Sequence, residues 1–245
     1  MSIWVGNRDG GELVDKDSAA VSVLDHGFTV GDGVFETLRV AEGQPFALTR
    51  HLARLRASAS AMGMPDPDDS VVREAARDVI DFNDSPSMPV GRLRITYTAG
   101  RAPLGSDRGD AVPTLVVATA APTVWPSTTT IATVPWTRNE KAATAGVKST
   151  SYADNVVALA WAHDRGASEA VFANTQGELC EGTGTNVFVV VDGRVLTPPL
   201  TSGCLAGVTR DLVIEWFGAS EVDLPIEVLH EAAELDGAGT LKRFR

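Results

Sequence analysis

Lys148 stands at a point in the sequence where a lysine could act as a nucleophile. Residues 144–147, which precede it, are small or apolar, and the residues after it lead into a predicted helix in which Val156, Leu159 and Ala160 are expected to face a core. Partial desolvation at such a strand–helix junction favours the neutral amine that imine chemistry needs. Lys148 is therefore the candidate nucleophile, although a lone lysine is more often a solvated surface residue.

A candidate anion-binding site lies further along the chain. The sequence Gly207-Val208-Thr209 opens a predicted helix over residues 209–217. Unpaired N–H groups and the positive end of the helix dipole attract an anion there, and the Thr209 hydroxyl adds a donor. Taken alone, the same residues would be explained by helix capping.

Two mixed α/β patterns are predicted to position these residues, and we place a small α/β domain at residues 1–119, a proline-containing linker at 120–127 and a larger domain at 128–245. A helix that begins near Leu48 is expected to stop at Gly63, and Ser70 is expected to cap the next helix. The remaining predicted elements are strands over 34–40, 92–98, 114–119, 129–134, 169–173 and 186–191, and a helix over 153–166.

Composition excludes several classes of function. The formal net charge of -11 would repel a phosphate backbone, so nucleic-acid binding is not expected. The sequence contains no apolar run long enough for a membrane span and no signal-peptide pattern, so we expect a cytoplasmic protein. Cys180 and Cys204 are expected to be free and packed, and two cysteines are too few for a zinc site.

Several spaced motifs between residues 148 and 190 resemble the signature region of the class IV aminotransferases, which are fold-type IV pyridoxal-phosphate enzymes. The motifs are Lys148 with its following helix, the sequence Gly-x-x-Glu-Ala that starts at Gly166, and the sequence Glu-Gly-x-x-x-Asn-x-Phe that starts at Glu181. Agreement of several elements over some forty residues is a specific signal, whereas a lone Glu-Gly pair would carry none.

The resemblance implies pyridoxal 5'-phosphate as cofactor and assigns it five residues. Lys148 would hold the cofactor as a Schiff base, and Glu181 would keep its pyridine nitrogen protonated. Arg54, in the pattern His-x-x-Arg-Leu, matches the position at which family members contact the cofactor phosphate, together with Val208 and Thr209. The alternatives are a solvent-facing Arg54 and a water-facing Glu181 in a turn.

The same resemblance makes residues 25–40 part of a wall that faces a small, amino-acid-like substrate. Phe35, Arg39 and Arg101 are the candidate substrate residues, and both arginines could equally be solvated. Tyr152 follows Lys148 by four positions, which is one helical turn if the helix has already begun, so it would either reach the cofactor or pack.

The implied fold is of the α+β class, with a small α/β N-terminal domain and a larger mixed-sheet pseudo-barrel, and the implied assembly is a homodimer. Two departures from the family pattern stand out. Relatives that act on D-alanine carry an Arg-x-His pair where this chain has Leu104 and Ser106. Relatives also continue into a further strand and a Ser/Thr turn where this chain ends in GAGTLKRFR, which leaves open whether the large domain is complete.

Three functions remain compatible with these motifs. The first is an aminodeoxychorismate lyase, which releases pyruvate and 4-aminobenzoate for folate biosynthesis, and the sequence favours it modestly through the GDGVFETLRV block, the compact size and the missing Arg-x-His pair. The second is an amino-acid transaminase of branched-chain type with a 2-oxo acid acceptor. The third is an inactive remnant.

Overall fold

The computed structural model describes residues 1–231, 234–238 and 242–244, with side chains described up to residue 230. The chain divides into two compact units. The first unit comprises Met1–Thr123 with Val147–Ser151, and the second comprises Val124–Gly146 with Tyr152–Arg245. The segment that carries Lys148 therefore belongs to the first unit.

The first unit is built on a six-stranded sheet in the order β2-β1-β6-β5-β3-β4, in which every neighbouring pair is antiparallel. Its strands are β1 Ser2–Asn7, β2 Gly10–Asp15, β3 Gly33–Ala41, β4 Gln44–Pro45, β5 Arg92–Thr98 and β6 Thr114–Ala120. Its helices are α1 His26–Thr29, α2 Leu48–Ala61 and α3 Asp69–Asn83.

Alternation along β3 gives its two faces different tasks. Val34, Leu38 and Val40 enter the core together with residues of α2 and α3. Successive side chains of a strand point to opposite faces, so Phe35 lies on the other face. Helix α3 is capped by Asp68, whose carboxylate accepts from two backbone N–H groups, so the prediction of Ser70 as the cap is wrong by two residues.

The second unit contains two mixed sheets, with strand orders β10-β9-β8 and β13-β12-β11-β14-β15-β7. The pairs β8–β9, β12–β13 and β7–β15 are parallel, and the other pairs are antiparallel. The strands are β7 Thr128–Thr129, β8 Ile131–Arg138, β9 Glu169–Asn174, β10 Leu179–Gly182, β11 Asn186–Val191, β12 Arg194–Thr197, β13 Ser220–Glu221, β14 Glu234–Ala238 and β15 Lys242–Phe244. The helices are α4 Ala153–His163, α5 Val208–Phe217 and α6 Val228–Glu231.

Helix α4 buries a different face from the predicted one. Asn155, Ala158 and Ala162 are buried, whereas Val156 is 64% exposed. The expectation that Val156 and Ala160 face a core is therefore wrong. Every residue from Val156 to Ala162 is apolar, so the sequence shows no polar stripe from which the buried face could be chosen.

Strands β14 and β15 continue the second sheet through the last part of the chain, and β15 pairs with β7. The expectation that the chain lacks a further strand after α6 is therefore wrong. Residues 239–241 lie outside the described residues, so the expected lack of a Ser/Thr turn stays a prediction. Within the described part of the chain, every helix is too short or too polar to cross a bilayer. Both cysteines are free and buried, as predicted, and burial raises the pKa of the Cys180 thiol.

Candidate active site

The segment around Lys148 lies against β3 of the first unit. The N–H of Phe35 donates to the carbonyl of Lys148 at 2.9 Å, and the N–H of Thr150 donates to the carbonyl of Gly33 at 2.8 Å. The N–H of Lys148 donates in turn to Ser58 Oγ on α2 at 3.4 Å. These bonds fix the backbone of Lys148, so its side chain starts from a rigid position.

The amine of Lys148 packs on an aromatic ring. Its Nζ atom lies 4.4 Å from the ring centroid of Phe35, and the Lys148 residue is half-buried. Phe35 itself is 5% exposed, so the amine rests on an apolar surface while part of the side chain reaches solvent. Phe35, a candidate substrate residue, therefore contacts the candidate nucleophile within one unit, and its contact with substrate stays a prediction.

Arg94 is a third member of this cluster and was not predicted from the sequence. Its Cζ atom lies 3.4 Å from the Phe35 centroid, and its Nε atom donates to Thr96 Oγ1 at 3.2 Å. In the pairing of β5 with β3, Arg94 is opposite Thr37, which follows Phe35 by two residues and lies on the same sheet face. Alternation in the sequence indicates which side chains of β5 are exposed, but it does not indicate that β3 is the neighbouring strand.

Arg54 lies on α2 in a buried ionic cluster. Its Nε and Nη2 atoms donate to Glu36 Oε1 at 2.8 Å and Oε2 at 2.6 Å, and His51 Nδ1 lies 2.6 Å from the same Oε2. The Arg54 side chain is 13% exposed, so the alternative of a solvent-facing arginine is not what the structure shows. The same guanidinium was predicted to contact phosphate.

Glu181 is the last residue but one of β10 in the second unit, and its carboxylate contacts Arg138 and Leu205. Arg138 Nε lies 3.3 Å from Oε1, and the N–H of Leu205 donates to Oε2 at 2.9 Å. Arg138 also stacks on Phe172 at 4.2 Å, which fixes the guanidinium. The Glu181 side chain is 14% exposed, so the alternative of a water-facing turn glutamate does not describe it.

The two signature motifs of the second unit contact each other. Glu169 is buried, and its carboxylate accepts from the Thr183 N–H at 3.1 Å, the Thr183 hydroxyl at 2.5 Å and the Thr185 hydroxyl at 3.2 Å. The carboxylate of one motif therefore fixes the turn that follows Glu181 in the other. These hydrogen bonds explain in structural terms why the two motifs occur together in one sequence.

Val208 and Thr209 form the first turn of α5, as predicted. Gly207 immediately precedes the helix, and a Cβ atom there would overlap Asn186 Oδ1. The Asn186 amide donates to the Leu205 carbonyl at 2.8 Å, so Asn186 holds the loop that leads into α5. Asn186 is the asparagine of the Glu-Gly-x-x-x-Asn-x-Phe motif. Its contact with Leu205 could not be predicted from the sequence, because the two residues are 19 positions apart.

Tyr152 precedes α4, which begins at Ala153, so the one-turn spacing between Lys148 and Tyr152 does not apply. Tyr152 lines a cavity of about 400 Å³ within the second unit. The lining also includes Trp125, Asn155 and the backbone turn at Gly184. Whether Tyr152 contacts the cofactor stays a prediction.

Arg39 and Arg101, the other candidate substrate residues, are both exposed. Arg39 is near the end of β3, opposite Arg92 and four residues from Phe35, a distance of roughly 13 Å along a strand. Arg101 forms an isolated bridge with Asp25 at the start of the loop after β5. Arg94, in contrast, stacks on the Phe35 ring.

Comparison with known proteins gives concordant matches. The profile of the amino-transferase class IV family matches residues 33–245. A candidate branched-chain-amino-acid aminotransferase of Methanocaldococcus jannaschii is 34% identical over 94% of this chain and 82% of its own length. A bifunctional aminodeoxychorismate lyase / D-amino acid transaminase of Mycobacterium tuberculosis is 29% identical over 94% of this chain and 83% of its own length.

Solved structures agree in fold. A fold IV transaminase from Curtobacterium pusillum is similar at a TM-score of 0.88 and 29% identity, over 99% of this chain and 89% of that chain. A hypothetical aminotransferase from Mycobacterium tuberculosis, in its form with bound pyridoxal phosphate, is similar at a TM-score of 0.86 and 26% identity, over 98% of this chain and 89% of that chain. The predicted α+β, fold-type IV architecture is confirmed.

Proposed function

This chain belongs to the class IV aminotransferases, and on that premise we propose that it transfers the amino group of an apolar L-amino acid to a 2-oxo acid. The family uses pyridoxal phosphate as cofactor. The observation that carries the proposal is the cluster in which the Lys148 amine and the Arg94 guanidinium pack on the Phe35 ring. A nucleophile and a carboxylate-binding cation thereby flank one apolar surface.

The residues present fit pyridoxal phosphate. Lys148 offers a half-buried amine, Glu181 a carboxylate for the pyridine nitrogen, and Arg54 a guanidinium suited to phosphate. The N–H groups at the start of α5 and the Thr209 hydroxyl add donors for the phosphate. When bound, this cofactor supplies an electron-withdrawing ring that stabilises negative charge on the α-carbon of the substrate.

Lys148 is assigned two tasks, which are covalent attachment of the cofactor and movement of the proton at the substrate α-carbon. The Phe35 ring presents an apolar surface to the amine, and the Arg94 guanidinium lies on the same ring.

Glu181 is assigned the task of holding a proton on the pyridine nitrogen. The task requires a carboxylate, and the Arg138 guanidinium and the Leu205 N–H both contact that of Glu181. These contacts also aim the side chain, because they hold both oxygens.

Arg94 is assigned to the substrate carboxylate, which a guanidinium binds with two parallel hydrogen bonds. Arg39, one of the two arginines predicted to contact substrate, lies roughly 13 Å along β3 from Phe35. The contact of Arg94 with the ring beside Lys148 supports Arg94 as the residue that binds the carboxylate of an amino acid. Leu104 and Ser106, which replace the Arg-x-His pair, support an L-amino acid over a D-amino acid.

Aminodeoxychorismate lyase remains the second candidate, and a specific observation favours it. The bifunctional lyase and transaminase of Mycobacterium tuberculosis aligns with 94% of this chain. The finer assignments of folate biosynthesis, a cytoplasmic location and a homodimer also remain proposals.

The test compares two reactions of the purified holoenzyme. We expect L-leucine, L-isoleucine or L-valine with 2-oxoglutarate to yield glutamate, and we expect no pyruvate or 4-aminobenzoate from aminodeoxychorismate in the absence of an acceptor. The opposite result would replace the transaminase by the lyase. A protein that binds the cofactor and performs neither reaction would favour the inactive remnant.

A matched pair of variants tests the assignment of Arg94. Arg94→Gln should raise the KM for the amino acid by roughly tenfold or more, which corresponds to about 1.4 kcal/mol of lost transition-state binding. Arg92→Gln removes an exposed arginine from the same strand and the same sheet face and should leave the KM within twofold. Equal effects of the two substitutions would refute the role of Arg94.

A further inference from the structure

Glu36 is a carboxylate in the interior of the first unit. It lies on the core-facing side of β3 between Val34 and Leu38, and its exposure is 0%. A carboxylate removed from water costs several kcal/mol unless charged partners and hydrogen bonds compensate. Its presence at a core position therefore calls for an explanation in terms of what it binds.

Two side chains of α2 hold this carboxylate. Arg54 contacts both oxygens through Nε at 2.8 Å and Nη2 at 2.6 Å, and His51 Nδ1 is 2.6 Å from Oε2. Burial alone would raise the pKa of Glu36, but the hydrogen bonds and charges of Arg54 and His51 together hold that pKa below its usual value. The carboxylate is thus charged at neutral pH.

The geometry of the pair constrains the guanidinium of Arg54. A bidentate carboxylate fixes both the plane and the rotation of a guanidinium, since two parallel bonds must be satisfied together. Glu36 accepts from two of the five N–H donors that a guanidinium carries. An otherwise flexible side chain is held in one orientation.

The helix that carries the pair also touches the Lys148 segment. Ser58 follows Arg54 by one helical turn, so the two side chains lie on neighbouring positions of one face of α2. Ser58 Oγ accepts from the Lys148 N–H at 3.4 Å. The orientation of Arg54 is therefore set next to the residue to which the cofactor would be attached.

We propose that Glu36 and His51 are positioning residues, which hold the Arg54 guanidinium in the orientation that receives the cofactor phosphate. This inference rests on the proposed function, because it presumes that Arg54 binds phosphate. Its specific content is that Glu36 and His51 act on cofactor affinity through Arg54 and through the phosphate alone.

The test measures binding of two probes to the apoprotein by equilibrium dialysis or absorbance titration. Pyridoxal phosphate carries the phosphate, and pyridoxal lacks it, whereas both can react with Lys148. Glu36→Gln should weaken pyridoxal phosphate binding by at least tenfold and change pyridoxal binding by less than twofold. Arg54→Gln should show the same selectivity with a larger loss, and the double variant should lose no more than Arg54→Gln alone.

A control at another ion pair of α2, which Arg56 forms with Asp69 of α3, separates positioning from general destabilisation. Asp69→Asn breaks the ion pair of Arg56 with Asp69, which is partly exposed, and should leave the affinity for both probes unchanged. If Glu36→Gln does not fold, His51→Ala retains the pair of Glu36 with Arg54 and should give a smaller loss, of roughly threefold to fivefold, that is again selective for the phosphorylated probe.

The outcomes distinguish the two levels of inference. If Arg54→Gln is selective but Glu36→Gln and His51→Ala weaken both probes equally or neither, the positioning role is overturned while the phosphate role of Arg54 stands. If Arg54→Gln itself shows no selectivity for the phosphorylated probe, the assignment of Arg54 under the proposed function fails and the positioning role fails with it.

Discussion

Replacing Gly207 by alanine tests whether the loop before α5 is close-packed. The backbone of Gly207 is extended, with φ of -72° and ψ of 130°, so alanine causes no backbone strain there. The added Cβ instead overlaps Asn186 Oδ1 and comes within 3.3 Å of the Arg210 Cβ. Asn186 is 6% exposed and has little room to move without losing its bond to the Leu205 carbonyl.

The expected cost combines two effects. Overpacking a tight site costs about 1–3 kcal/mol, and loss of the buried hydrogen bond adds about 1 kcal/mol. For a chain of this length, a loss of that total size, about 2–4 kcal/mol, should lower Tm by roughly 4–16 °C at about 2–4 °C per kcal/mol. Scanning calorimetry of the apoprotein measures the shift without the influence of cofactor.

Two further variants make this reasoning refutable. Gly184→Ala adds a Cβ that meets no atom within 4 Å, so it should melt with the wild type. In the double variant Gly207→Ala with Asn186→Ala the overlapping amide is gone, so the combined cost should fall at least about 1 kcal/mol below the sum of the single costs. A Gly207→Ala protein that melts within about 1 °C of wild type, or additive costs in the double variant, would refute the close-packing argument.

Two further predictions concern charge and chemistry. Lys148→Ala should fold with a Tm close to that of wild type but should lose the borohydride-reducible cofactor adduct and all turnover; a retained adduct would show that another lysine holds the cofactor. Asp32 pairs with Arg108 at 2.6 Å, and although burial would raise its pKa, the bonds and charges of Arg108 and His26 hold it below the usual value. Because the folded-state pKa is lowered, this stabilisation is full above about pH 4 and is lost as pH falls through the folded pKa. The free energy of unfolding of Asp32→Asn should therefore fall less than that of wild type between about pH 5 and pH 2. The control Asp17→Asn, at an exposed position, should show the same fall as wild type.

Local patterns carried much of the fold prediction. The strand of the GDGVFETLRV block and the helix that begins near Leu48 were readable because hydrophobic periodicity of two or about four residues reports local geometry. Helix α4 was assigned the wrong face because its own apolar residues lie on all of its faces, so their periodicity does not indicate which face is buried. Strand β10 was missed because four residues carry too short a pattern.

The sequence by itself determined the family, and with it the cofactor. Lys148 and Glu181 are predicted as cofactor residues because the spaced motifs contain the residue types that the chemistry requires. Motifs do not state which residues contact each other. Arg94 became visible as a candidate substrate residue when the pairing of β5 with β3 placed it on the Phe35 ring.

The tertiary structure alone decided the partners of the charged groups. Glu36 and Arg54 are 18 residues apart, and their bidentate contact depends on how α2 packs against β3. The contact of Asn186 with the loop before α5 likewise depends on packing between segments that are remote in sequence. Such contacts are fixed by burial and by the need to pair each buried polar group, and these are properties of the assembled core that no local stretch of sequence contains.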